Sequence, residues 1–233
     1  MTVADFPIVP NKAAVVEFGI LCSEARSFAD LGACWGVHGG YTSFALELGG
    51  IERAVLVDGR VTELTRERTA DWDQLEIYEA PLGAQTTVDK VGKVDAAIMF
   101  DILLHQVDPH WDEFLERYAA NVDTLIIHNQ CWRGEETVRF ADMDVEEYIA
   151  RVEPNATTRV REWYARHDEW SDEQNRPLRD VHNYWQWGIT VKDLVGTLWD
   201  LGYRIEGLEN SGLWLPEVPD IESVSLIARR RHS

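Results

Sequence analysis

The chain has 233 residues, and its 41 Asp and Glu against 22 Lys and Arg leave a formal charge of −19. That length suits one domain with a single sizeable core, and that charge argues against a protein whose main partner is the phosphate backbone of a nucleic acid. No apolar run approaches the roughly 20 residues that cross a bilayer, and Met1 to Pro10, with Asp5 and no basic residue before Lys12, lacks the basic start of a secretory signal, so a cytoplasmic protein without membrane contact is expected.

Ala13 to Ile20 predicts an N-terminal helix. Phe28 to Leu31 reads as a short buried strand, Gly32 to Gly40 as a glycine-rich turn, and Tyr41 to Leu48 as a helix in which Phe44, Ala45 and Leu48 recur at helical spacing. Arg53 to Val57 predicts a second strand ending at Asp58, Leu75 to Tyr78 a third, and Asp95 to Phe100 a fourth, followed by Asp101 and an apolar turn to Val107. Asp108 and Pro109 then open a helix with Trp111, Phe114, Leu115 and Tyr118 on one face. Asp123 to Ile127 is the fifth strand, ending in His128, Asn129 and Gln130. The alternation predicts an α/β fold with a mostly parallel sheet covered on both faces. Ligands of such sheets collect at the carboxyl ends of the strands, where Asp30, Asp58, Asp101 and His128 fall.

Residues 131 to 187 break the rhythm, with an acidic helix expected over Asp142 to Val152, an aromatic one over Thr157 to Trp170, and the cluster Tyr184, Trp185, Trp187. They are expected to form a cap inserted into a single domain of residues 1 to 233. Val191 to Leu201 restores a helix, Tyr203 to Leu208 and Ser223 to Ala228 are strands, and Asn210 to Pro219 is the turn between them. Cys22, Cys34 and Cys131 lack paired spacing and read as free thiols.

Gly32, Gly36, Gly39 and Gly40 supply a turn through which backbone N–H groups approach a ligand closely, although such a turn also takes glycine for steric reasons alone. Asp58, 26 residues beyond Gly32, is placed to accept hydrogen bonds from a ribose diol or to be a solvated strand end. The run Asp30-Leu31-Gly32-Ala33-Cys34-Trp35-Gly36 resembles the first motif of the class I S-adenosylmethionine-dependent methyltransferases, with Cys34 where the middle glycine usually sits. Val55 to Asp58 is similar to the second motif of that family, Asp95 to His105 to its fourth-strand motif, and Thr190 to Ala228 to its ending. The resemblance implies a Rossmann-like, seven-stranded sheet whose last strand inserts antiparallel. It also implies bound S-adenosylmethionine near Asp30, Gly32, Gly36, Asp58 and Phe100. A narrower similarity is to actinobacterial methyltransferases acting on sugar hydroxyls. A nicotinamide-binding reading is disfavoured because Cys34 interrupts the Gly-x-Gly-x-x-Gly pattern.

Methyl transfer to an alcohol needs a base, and His128 is the first candidate, His105 the second, with Asp101 orienting either one or touching the acceptor. His38 and His182 are lesser candidates. Each histidine also has a plain packing role to weigh against this. Asp101, His128 and Asn129 form a candidate magnesium set, weakened by imidazole standing where that family's metal branch has a carboxylate, and no metal ligand is assigned. The aromatics of the cap, with Asp180, His182, Asn183 and Gln186, are expected to serve both its own core and a neutral, hydroxylated small-molecule acceptor. N-methylation of a small amine and a non-catalytic binding scaffold are the other readings, and a homodimer through the cap is open.

Overall fold

The protein is described from a computed structural model covering residues 8–172, 175–181 and 184–231. The first part of the chain, to residue 132, comprises α1 (Pro10–Ser23), β1 (Ser27–Leu31), α2 (Gly40–Glu47), β2 (Arg53–Asp58), α3 (Glu63–Thr69), β3 (Leu75–Glu79), α4 (Gln85–Val91), β4 (Val94–Phe100), α5 (Trp111–Ala119) and β5 (Val122–Trp132). Then come β6 (Val138–Arg139), α6 (Val145–Arg151), α7 (Thr157–Tyr164), β7 (Trp170–Ser171), β8 (Arg176–Pro177) and β9 (Trp187–Gly188). The chain closes with α8 (Val191–Asp200), β10 (Tyr203–Leu213) and β11 (Ile221–Arg230).

Seven strands form one sheet in the order β10-β11-β5-β4-β1-β2-β3. All pairings are parallel except those of β11, which runs antiparallel between β5 and β10. The strands explain their own burial, because a period of two sends alternate residues to opposite faces. Ala29, Leu31, Val55, Val57, Leu125 and Ile127 pack with Val88 of α4, Phe114 and Tyr118 of α5 and Leu194 and Leu198 of α8. Phe28, Ala54, Ile98 and Ile126 pack on the other face with Val16 and Ile20 of α1 and Tyr41 and Ala45 of α2. A large side chain buried in this way contributes about 1.5–3 kcal/mol. Both faces are therefore covered, as the continuous apolar strands predict.

Several boundaries differ from expectation for one reason: a neighbouring strand offers a ladder that local composition does not reveal. β5 continues through His128, Asn129 and Gln130 to Trp132 because Ser225, Val224, Ser223, Glu222 and Ile221 of β11 pair with residues 128 to 132. β10 and β11 likewise extend past their apolar cores into the stretch expected as turn. In residues 131 to 187 the helices are shorter than expected. Asp144 caps α6 by accepting from the Glu147 N–H at 2.9 Å, and Trp170 lies in the β7–β8 ladder. This segment holds its own apolar cluster, with Trp132, Phe140, Tyr148 and Trp163 packed against Val218 and Ile221 near the last strand. No helix among the described residues is long and apolar enough to cross a membrane.

Candidate active site

The turn after β1 is shaped by glycine where the backbone demands it. Gly32 has φ +79°, and a Cβ there would lie 2.4 Å from Ile102 Cγ2, so the turn hugs the segment after β4. Gly36 has φ +71° and faces open space, with no heavy atom within 4 Å of a Cβ built on it. Cys34 does not fill that space: its side chain is buried with Ala33, Leu56 and Val61, and burial pushes its thiol up to about 12. The departure from the glycine pattern is thus absorbed on the protein side of the loop. Trp35, beside it, is 91% exposed.

Asp58, at the end of β2, accepts the Cys34 N–H at 2.8 Å on one oxygen and the Arg60 N–H at 2.9 Å on the other. One donor on each oxygen fixes the carboxylate and leaves acceptor capacity for a diol. Asp30 is buried and accepts the Thr42 hydroxyl at 2.6 Å. Burial pushes its carboxyl up to about 7, against the Thr42 hydrogen bond and with help from the charge of Asp58.

Beyond β4 the chain turns sharply at Asp101, which has φ +55° and whose N–H donates to the His128 carbonyl at 2.9 Å. His128 pairs with Phe100 in the β4–β5 register, level with the end of β4. Its Nδ1 lies 2.6 Å from Asp101 Oδ1. Gln130, two residues on and on the same face of β5, donates to that oxygen at 3.0 Å, and the Lys12 ammonium of α1 pairs with Oδ2. Burial alone would raise the Asp101 carboxyl, but the His128 hydrogen bond and the charges of His128 and Lys12 hold it at about 2. An ionised carboxylate only accepts, so His128 Nδ1 carries the proton and Nε2 keeps its lone pair when the ring is neutral.

The other expected residues divide clearly. His105 Nδ1 lies 3.0 Å from the Tyr184 carbonyl, which ties the turn after β4 to the 131–187 segment. His38 Nδ1 lies 3.2 Å from Thr62 Oγ1. Phe100 is 9% exposed, with its ring edge to the rings of Tyr41 and His128, so it walls the site from within. Asn129 is a correction: strand alternation turns it to the opposite face from His128 and Gln130, beside Cys131, and its Nδ2 donates to the Gln130 carbonyl at 2.8 Å. The proposed magnesium set does not fit, since Asn129 is turned away and both Asp101 oxygens are engaged by Lys12, His128 and Gln130.

In the 131–187 segment, Trp163 stacks on Tyr184 at 4.0 Å, and Phe140, Tyr148 and Trp163 are buried in its core. Asp180 pairs with Arg139, and Gln186 donates to the Val181 carbonyl at 3.0 Å while its buried Oε1 has no hydrogen-bond partner among the described residues. His182 and Asn183 lie outside the described residues. A shallow groove of about 250 Å³ lies between α1 and β10–β11, lined in part by Ser225, which pairs with His128 in the β5–β11 ladder. Lys12 is the residue that sequence reasoning missed; its one signal is a cation in the first turn of a helix, where the macrodipole favours acids.

The strand order, the antiparallel β11 and the glycine turn define the class I methyltransferase fold. No family model matches the chain, and no curated protein matches it. Among solved structures, it is similar to an O-methyltransferase family protein from Burkholderia thailandensis, with TM-score 0.59 and 16% identity over 96% of this chain and 56% of that one. The N-terminal domain of EvdMO1, in the presence of SAH and D-fucose, gives TM-score 0.61 and 13% identity over 96% of this chain and 84% of that one. The 1,6-didemethyltoxoflavin-N1-methyltransferase of Burkholderia thailandensis, with bound 1,6-didemethyltoxoflavin and S-adenosylhomocysteine, gives 0.58 and 14% over 96% and 78%. The chain thus spans just over half the length of the first of these relatives.

Proposed function

We propose that the chain is an S-adenosylmethionine-dependent methyltransferase that acts on a hydroxyl of a small, neutral molecule, with a saccharide or glycosylated metabolite as the first acceptor class. The observation that carries this reading is the Asp101–His128 pair at 2.6 Å, set at the end of β4 beside the glycine turn. S-adenosylmethionine supplies a methyl group already activated by the sulfonium charge, so the protein's task is alignment and proton removal. Asp58 accepts from the ribose hydroxyls, and the open face at Gly36 admits the cofactor close to the backbone. Asp30 borders the same turn. Asp101 holds the His128 ring so that Nε2 takes the acceptor's proton, and Gln130 and Lys12 hold Asp101.

The fold neighbours with SAH support the cofactor, and the D-fucose present with one of them agrees with a hydroxylated acceptor. Residues 131 to 187 stand in this reading as the cap that selects the acceptor, with most of their rings spent on their own packing. Titration calorimetry with S-adenosylhomocysteine tests the reading. Binding to the wild type is expected, and Asp58→Ala should weaken it by about 1–3 kcal/mol, the scale for losing charged hydrogen bonds. A folded wild type that does not bind overturns the proposal; unchanged affinity in a folded Asp58→Ala removes Asp58 from the site.

A further inference from the structure

Lys12 belongs to a helix on the far side of the sequence from the strand-end motifs, yet it reaches into their centre. Its side chain is only 14% exposed, lies with the ammonium 5.7 Å from the centre of the Phe100 ring and ends on Asp101 Oδ2. The first turn of α1 is held in place a second time, because the Val9 N–H donates to the Tyr41 hydroxyl at 3.0 Å. A cation there works against the helix macrodipole, so the placement is offset by what the ammonium meets.

The structure assigns Lys12 the role of a positioning residue: from α1 its ammonium holds the Asp101 carboxylate on His128 and sets how readily that imidazole takes a proton. The physical argument concerns a shared anion. An unshielded carboxylate on Nδ1 favours the imidazolium, and a base already charged accepts nothing. Lys12 neutralises part of that carboxylate from its other oxygen, so removing the ammonium leaves a stronger anion against Nδ1. Gln130 adds a neutral donor to the oxygen that His128 uses.

The groups around His128 are Asp101 after β4, Lys12 on α1, Tyr41 on α2, which feels the charges of both Asp101 and Asp30, and Gln130 on β5. Ser225 of β11 lies opposite His128, and Glu209 of β10 opposite Ser225. Lys12 is the cation joined to the carboxylate that His128 uses. The role rests on the reading of His128 as the base, but its test requires no reaction.

The test is a pH titration of the histidine ring resonances by NMR in isotope-labelled protein, with His128 assigned from His128→Gln. In Lys12→Met the His128 titration should move up by about one pH unit, the lower end of the range for removing a nearby charge, which leaves roughly tenfold less neutral ring at pH values below the midpoint. Lys12→Arg, which keeps the charge, should titrate with the wild type. Lys12→Gln keeps a hydrogen-bond donor and should move with Lys12→Met; it also gives the reading if the Met variant does not fold. A His128 titration unchanged in the folded uncharged variants overturns the proposal and leaves Lys12 as an ordinary ion pair. Calorimetry with S-adenosylhomocysteine on the wild type separates the two readings: absence of binding removes the methyltransferase assignment and leaves the titration result standing.

Discussion

Asp30, within the last residues of β1, and Asp101, just after the neighbouring β4, lie at the carboxyl end of one sheet and are held in opposite ways. Asp30 faces a hydroxyl and a second acid, and burial carries its carboxyl up to about 7. Asp101 is only half-buried, and a histidine and an ammonium hold it at about 2. The same residue type is thus near its titration point at β1 and permanently charged at β4. Asp30 lies deeper and Asp101 has the ammonium partner, and these differences together divide the strand ends into two halves. The half around β1 and β2 offers a glycine turn, an open face and carboxylate acceptors, where the proposal places the cofactor. The half around β4 and β5 offers a fixed anion and an oriented imidazole.

That division can be broken most forcefully at His128. If the β4–β5 half does the chemistry, His128→Gln should keep the affinity for S-adenosylhomocysteine and lower methyl transfer by about a hundredfold or more. The rate of the wild type should also fall at low pH as the ring is protonated, and the variant should lose that acidic limb. An acidic limb kept in the folded variant would move the proton-accepting role to another group. A parallel loss of cofactor affinity would show that the two halves are not separate.

Asp30 tests the other half through stability. Its folded pKa of about 7 exceeds the usual value of 3.8. As pH rises between those values the unfolded chain releases a proton that the folded chain keeps, so this group makes folding less favourable. Asp30→Asn removes that cost while preserving an acceptor for Thr42. The variant should be more stable than the wild type by about 2 kcal/mol at pH 8, with the advantage shrinking toward pH 4. Urea unfolding at several pH values checks this, and a pH-independent difference would mean that Asp30 is not held protonated.

The central strands were legible in the sequence because β1, β2, β4 and the start of β5 are mostly apolar and the turns after them carry glycine and acids, whereas β3 and β10 mix polar residues into the strand. Asp30, Asp58, Asp101 and His128 were legible as polar residues at the carboxyl ends of apolar strands. What local pattern does not carry is the partner. His128 reads as a residue beyond a strand until β11 pairs with it, and only the strand period turns Asn129 away while bringing Gln130 in. Lys12 is 89 residues from Asp101, and nothing in its surroundings in the sequence announces that separation will be closed. His105 makes the same point, because its contact with the Tyr184 carbonyl, 79 residues on, has no local sequence signal.

The smallest expected effect is the stability contributed by Asp101, and its pH dependence runs opposite to that of Asp30. A carboxyl held at about 2 against an ordinary 3.8 stabilises the fold fully above the higher value, and loses that contribution as pH falls through the lower one. Asp101→Asn is the right probe because asparagine tolerates the left-handed backbone that Asp101 adopts, φ +55°, and still accepts from His128. The loss should be about 1 kcal/mol at neutral pH, below what the low carboxyl value alone implies, because 36% of the Asp101 side chain is open to solvent, which screens the charges. The gap between wild type and variant should close as pH drops from about 4 toward 2, while the gap for Asp30→Asn closes in the same acidic direction with the opposite sign. Two curves that converge at low pH from opposite sides would establish that one acid is stored protonated and the other charged. If the Asp101→Asn gap were flat across that range, the ammonium of Lys12 and the imidazole of His128 would not be holding a charge at β4, and the contrast between the two halves would rest on Asp30 alone.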